Sequence, residues 1–224
     1  AGPSTFAIIL VGNNEVVGPY GPGTFNQTFL SNLSIIRLIQ AIKRTRVWQA
    51  ANVLVGNLNP KNDKETLRWR GMQMFTDNNV AFDDPRLETV YEHYENNLFD
   101  TVSRLQDKGI HVLLSSVPVN LRDSAPFSSQ HPPELSDDAL NTLNRQHQYS
   151  AARFKDQRFQ DAVNALNAAK AIAPNYADTH YQLGIAYEKL GQNAESAEHF
   201  QQALDLDTLR FRADTQINAR IRLV

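Results

Sequence analysis

The stretch that decides the fold is Tyr181-Gln182-Leu183-Gly184-Ile185-Ala186-Tyr187-Glu188-Lys189-Leu190-Gly191. Leu183, Ala186, Tyr187 and Leu190 recur at the three- and four-residue spacing of one helix face, and Gly191 opens a turn. Beyond the turn, Ala197, Phe200, Ala203, Leu204 and Leu206 continue as a second helix. Displaced by 34 residues, Ala162, Ala169, Ile172 and Tyr176 fall over Ser196, Ala203, Leu206 and Arg210, while Phe159 falls over Asn193. Tyr149, Ser150 and Ala152 take the places of Leu183, Gly184 and Ala186, and Pro174 closes the second helix of the earlier copy. Small residues at Ala162, Ala169, Gly184, Ala186 and Ala203 let two antiparallel helices approach closely while the larger side chains fill the space between them.

This pattern resembles the tetratricopeptide repeat, in two copies at about 143–176 and 177–210. The resemblance implies an all-α helical-hairpin pair that binds a protein or peptide. Stacked hairpins bury their apolar faces on one another and need about three units or a cap. The candidate cap is Leu209 to Val224, with Phe211, Ile217, Ile221 and Val224. Tyr149 and Ala152 in one copy, with Leu183, Ala186 and Tyr187 in the other, are expected at the interface between helices. That leaves His147, Phe154, Lys155, Tyr181, Glu188 and Lys189 as the expected partner-binding groove.

Upstream, Ser124 to Asp138 carries Pro126, Pro132 and Pro133 among Ser and Asp, which reads as a linker. The expected units are 1–138, a partial α/β domain of parallel strands and helices, and 139–224, the repeats with their cap. Thr5 to Val11 is a short continuous apolar run, as expected of a strand buried on both faces, and His111 to Val117 is a second. Leu87, Val90, Tyr91, Tyr94, Leu98, Val102 and Leu105 recur at helical spacing before the second strand, with Gly109 as the stop. Phe25 to about Gln49 reads as another helix, and Asn57 to Asn79 as loop plus short helix bearing Arg68, Trp69, Arg70 and Phe75. Two strands are too few for an independently stable sheet. Self-association through free edges is therefore expected, giving a homo-oligomer, unless Asn52 to Gly56 adds a strand.

Composition narrows the function classes. With 22 basic and 24 acidic residues the chain has no cationic field for phosphates, so nucleic acid is not an expected partner. The absence of cysteine excludes disulfides, thiolate nucleophiles and sulfur-ligated zinc. The six histidines show no metal-ligand spacing, and Gly18 to Gly23 matches no phosphate-cradling fingerprint, so neither metal nor cofactor is expected. The longest apolar run, Phe6 to Val11, falls far short of the roughly 20 residues of a membrane span.

After the first strand, Gly12-x-Asn14-Glu15 and Val17-Gly18-Pro19-Tyr20-Gly21 resemble the third conserved block of the SGNH or GDSL ester hydrolases, in particular the subset carrying tetratricopeptide repeats. Val117-Pro118-x-Asn120-Leu121-Arg122-Asp123-x-Ala125-Pro126-Phe127, Arg70-Gly71-Met72-x-Met74-Phe75 and Arg210-Phe211-Arg212-Ala213-Asp214 resemble the same subset. The resemblance implies that Asn14, with Gly12, serves the oxyanion of a tetrahedral intermediate, a donor worth roughly 3 kcal/mol. It places Asn13, Glu15, Asn120, Arg122 and Asp123 near an ester substrate, with Glu15 standing where most relatives have aspartate. The family's nucleophilic serine motif and its late Asp-x-x-His motif are absent. What the resemblance implies is thus part of a longer ester hydrolase, inactive on simple esters by itself, because an oxyanion donor without nucleophile and base is not an esterase. The competing expectation is a non-catalytic scaffold that mediates protein–protein interaction.

Overall fold

A computed structural model describes residues 5–24, 29–58 and 78–224, with 54–58 as backbone only. Arg68, Trp69, Arg70 and Phe75 lie outside the described residues. The chain runs β1 (Phe6–Ile9), α1 (Leu33–Lys43), α2 (Arg46–Leu58), α3 (Arg86–Gln106), β2 (His111–Leu114), α4 (Asp137–Lys155), α5 (Phe159–Ile172), α6 (Ala177–Lys189), α7 (Asn193–Asp205) and α8 (Thr215–Ile221). The described residues are therefore mostly helical, with one small sheet. None of their helices is long and apolar enough to cross a membrane.

β1 and β2 pair in parallel, Phe6 opposite His111 and Ile9 opposite Leu114. The amphipathic helix α3 buries Leu87, Val90, Tyr91, Tyr94, Leu98 and Val102, and Ile9 and Leu114 of the strands pack against the same core. Gly109, at φ 71°, turns the chain from α3 into β2. The expectation of a strand buried on both faces is corrected: Phe6, Ile8 and Leu113 are 70%, 74% and 59% exposed. Their alternation follows from the two-residue period of a strand with helix on one face alone. On the outer face, among the described residues, Phe6 stacks on His111, centroids 5.1 Å apart.

The single helix expected from Phe25 to Gln49 is also corrected, because Thr45 divides it. Its hydroxyl donates to the carbonyl of Ile42 and accepts from the amide of Trp48, so one side chain closes α1 and caps α2. Asn52 to Gly56, the alternative strand, lies within α2.

The repeats form two hairpins, α4 with α5 and α6 with α7. Val163 and Leu166 of α5 and Leu183 and Ala186 of α6 share one buried cluster, which joins the hairpins side by side. Gly184 permits the close contact inside the second hairpin. A Cβ built there would sit 2.6 Å from the Phe200 ring, and its carbonyl accepts from the Ser196 hydroxyl at 2.8 Å. Gly184→Ala is therefore expected to destabilise by about 1–3 kcal/mol through overpacking. Equilibrium urea unfolding checks this, and a wild-type midpoint would remove the close-approach argument.

The segment expected to cap the repeats touches two places: Thr215, at the start of α8, bonds Asp205 and Gln201 of α7, while the apolar face of α8 turns to another core. Ile217 and Ile221 of α8 are buried with Tyr94, Leu98 and Val117, in the core of α3 and the sheet. Asn218 accepts from the amide of Val117 at 2.8 Å and donates to its carbonyl, while Arg220 pairs with Glu88 and Glu95 of α3. Periodicity alone could not distinguish the two destinations, since either core accepts the same apolar stripe.

Candidate functional site

Two places gather the residues that the sequence singles out. The first is a cavity of about 380 Å³ beyond the carboxyl end of β1, lined by Asn13, Asn14, Glu15, Tyr20, His93 and Tyr94 among others. Gly12 and Asn14 both have positive φ, 132° and 64°. A side chain on Gly12 would meet Ile217, Tyr94 and Val117 within 3.2 Å, so glycine is required by conformation and by space. Asn14 lies exposed at the cavity wall in the left-handed region that asparagine tolerates. Asn13 instead faces the C-terminal part of the chain, accepting from the amide of Ala213 at 3.3 Å. Burial pushes the Glu15 carboxyl above its usual range, and the same carboxyl adds to the upward push on the neighbouring Tyr94 phenol, whose main cause is burial. Tyr94 donates to the carbonyl of Val11 at 2.8 Å, which fixes the strand end.

Asn120, Arg122 and Asp123 do not line this cavity. Asn120 accepts from the amide of Asp123 at 2.9 Å, an Asx-type turn. Arg122 pairs with Glu188 of α6 at 2.5 Å and with Asp123 at 2.8 Å. They belong to the second place, the surface of the repeats.

There the expected groove is redrawn. His147 lies between α4 and α6, 2.8 Å from the Thr179 hydroxyl and edge-on to Tyr176. Burial lowers its proton affinity, with Asp178 opposing. Phe154 packs on the cluster shared by the hairpins and against Phe159. Lys155 and Lys189 are exposed. Tyr181 donates to the carbonyl of Arg122 at 2.9 Å, and Glu188 holds the Arg122 guanidinium. Tyr149 and Ala152, expected at an interface, are exposed, Tyr149 by 48%. The reason is the end of the array: Leu183 and Ala186 are covered by the hairpin before them, while their counterparts in the first hairpin have no hairpin before them.

Residues 122–129 thus form a strap across α6 and the loop after α7. Asp207, 2% exposed, accepts from the amides of Phe127, Ser128 and Leu209 and pairs with Arg212 at 2.9 Å. The amide of Thr208 donates to the carbonyl of Ser128, and the amide of Asp178 to the Ser129 hydroxyl at 2.9 Å. Arg212 lies over the Phe127 ring and donates to the carbonyl of Ser124. The linker expected at 124–138 is irregular, but its first half is fastened down. Asp207 belongs to no sequence motif. Its signal was a break in the repeat, for the residue 34 positions earlier is the buried Ala173.

A second polar pair lies inside the later hairpin. His180 and His199 are 5% and 8% exposed, with Nδ1 atoms 3.1 Å apart. The Pro174 carbonyl lies 2.7 Å from His180 Nε2, so that nitrogen carries the proton and His180 Nδ1 is the acceptor. His199 therefore donates from Nδ1, and its ring stacks on Tyr187, with centroids 5.4 Å apart.

A family model described as TPR repeat matches residues 151–191, and one described as Tetratricopeptide repeat matches residues 177–208. No curated protein and no solved structure matches the chain.

Proposed function

We propose, from a chain that carries two tandem tetratricopeptide repeats, that it is a protein-interaction module, with the sheet and α3 supporting the repeats. The observation that carries this reading is the strap. α6 and the loop after α7 already hold an irregular stretch of polypeptide through its backbone amides and carbonyls, as a groove that recognises peptide does. Site-specific photo-crosslinkers at Lys189, at Tyr149 and, as a control, at the exposed Phe99 of α3 test it in cell extract. Protein adducts are expected at the repeat positions above those at position 99. Equal yields at all three would leave the repeats a purely structural element.

A second reading, a role in ester hydrolysis within a longer protein, is supported by one observation. Asn14 holds a left-handed conformation beside a cavity at the end of a parallel strand, where ligands of α/β sheets bind. In a longer protein that supplies nucleophile and base, Asn14→Ala is expected to lower kcat about 100-fold with little change in KM, because an oxyanion contact forms chiefly in the transition state. Steady-state kinetics on an aryl acetate decide it, and an unchanged kcat removes Asn14 from the chemistry.

A further inference from the structure

Repeat symmetry identifies an open docking face. A shift of 34 residues carries Gln146, Tyr149, Ala152 and Arg153 of α4 onto His180, Leu183, Ala186 and Tyr187 of α6. On α6 that face is covered: Leu183 and Ala186 are fully buried in the cluster with Val163 and Leu166 of α5. On α4 the same face is open, with a groove of about 270 Å³ lined by Gln146, Tyr149, Asp161, Asn164 and Ala165. Of the described residues just before α4, Leu135 packs elsewhere, with Leu143, Ala169 and Ala173.

A terminal hairpin that merely ends an array presents a polar face to water. Here the centre of the face is an aromatic ring, Tyr149, with the Arg153 guanidinium 4.8 Å from its centroid. Arg153 reaches Asp156 with one terminal nitrogen, and its buried Nε has no hydrogen-bond partner. Tyrosine and arginine, side by side here, are among the residue types that dominate binding energy at protein interfaces.

We propose that this α4 face is a docking site for one amphipathic helix of another protein, lying on α4 as α5 lies on α6 and presenting a carboxylate to Arg153. The inference rests on the protein-interaction reading and names its surface and partner class. The packing partner follows from continuity with the α5–α6 interface, and the acidic group from the positive charge of Arg153, which pairs through one terminal nitrogen with the exposed Asp156.

The probe is a fluorescent synthetic peptide of residues 158–174, the helix that covers the equivalent α6 face. It carries Val163→Glu, because Val163 shares a cluster with Tyr187, the counterpart of Arg153. Anisotropy with the full chain is expected to show saturable binding, weakened at least tenfold by Tyr149→Ala and by Arg153→Glu. A peptide with Val163→Lys is expected to prefer the Arg153→Glu protein. Circular dichroism confirms that the variants remain folded. Absence of saturable binding, or binding indifferent to both changes, overturns the proposal. Binding abolished instead by Lys189→Glu overturns it while leaving the protein-interaction reading in place. A dimer in sedimentation that Tyr149→Ala dissolves would assign the face to a second copy of this chain and overturn it as well.

Discussion

Asp207→Ala is expected to cost about 3–5 kcal/mol of stability, the range for removing one partner of a buried ion pair. The carboxylate is almost wholly enclosed and satisfies four donors: the amides of Phe127, Ser128 and Leu209 and the Arg212 guanidinium. Truncation leaves these donors facing an apolar gap, and Arg212 already has one buried nitrogen, Nε, without a partner. Asp207→Asn, which keeps one acceptor oxygen, is expected to lose less. Guanidinium unfolding gives the energies, and limited proteolysis locates the effect, since the strap at 122–129 should become the first site cut. A variant as stable and protease-resistant as the wild type would mean that the strap is held by other contacts.

The second large effect is on the pH dependence of the later hairpin. Burial, and after it the nearby His180 and Lys170, hold His199 at about 4, and burial lowers His180 in the same direction. The groups around the pair are Lys170 of α5, Glu198 and Gln202 of α7, Tyr187 of α6 and the Pro174 carbonyl. Both rings are favoured neutral in the fold, whereas in the unfolded chain they take up protons near 6.5. Their contribution is therefore complete above about pH 6.5 and is lost as pH falls towards about 4. For His199 this amounts to at most about 3 kcal/mol, since each tenfold change in proton affinity is worth about 1.4 kcal/mol and solvent screening reduces it. His199→Gln is expected to flatten the profile between pH 7 and pH 4. Thermal melts across that range measure it, and a wild-type slope in the variant would assign the acid sensitivity to other groups.

The helical hairpins were legible because a 34-residue repetition of small and large residues has few other physical solutions, and Gly184 against Phe200 realises it. Assigning faces within them was less successful. The two copies are not equivalent, so Tyr149 is exposed and His147 is covered by α6, because translation along an array fails at its first member. α3 and its stop at Gly109 were readable from period and turn chemistry. Thr45 was not, because a threonine within an apolar helical pattern becomes a break only when its hydroxyl bonds the backbone on both sides. At the candidate cavity, Asn13, Asn14 and Glu15 share one wall because they are adjacent in sequence. Asn120, Arg122 and Asp123 were carried away by contacts with α6 that are 59 and 66 residues distant in sequence, and no local pattern encodes them.

The return of α8 to α3 predicts an order for folding. The hairpins close over neighbouring residues, whereas Asn13 to Ala213 spans 200 positions and Val117 to Asn218 spans 101. Contacts that close such long loops come at a high entropic cost and slow the search. Once α4 to α7 have formed, they act as a rigid spacer that brings α8 back within reach of its partners and shortens the loop left to close. Amides of the hairpins should then gain protection in pulse-labelled hydrogen exchange before those of α3 and β2, which wait for the last helix to dock.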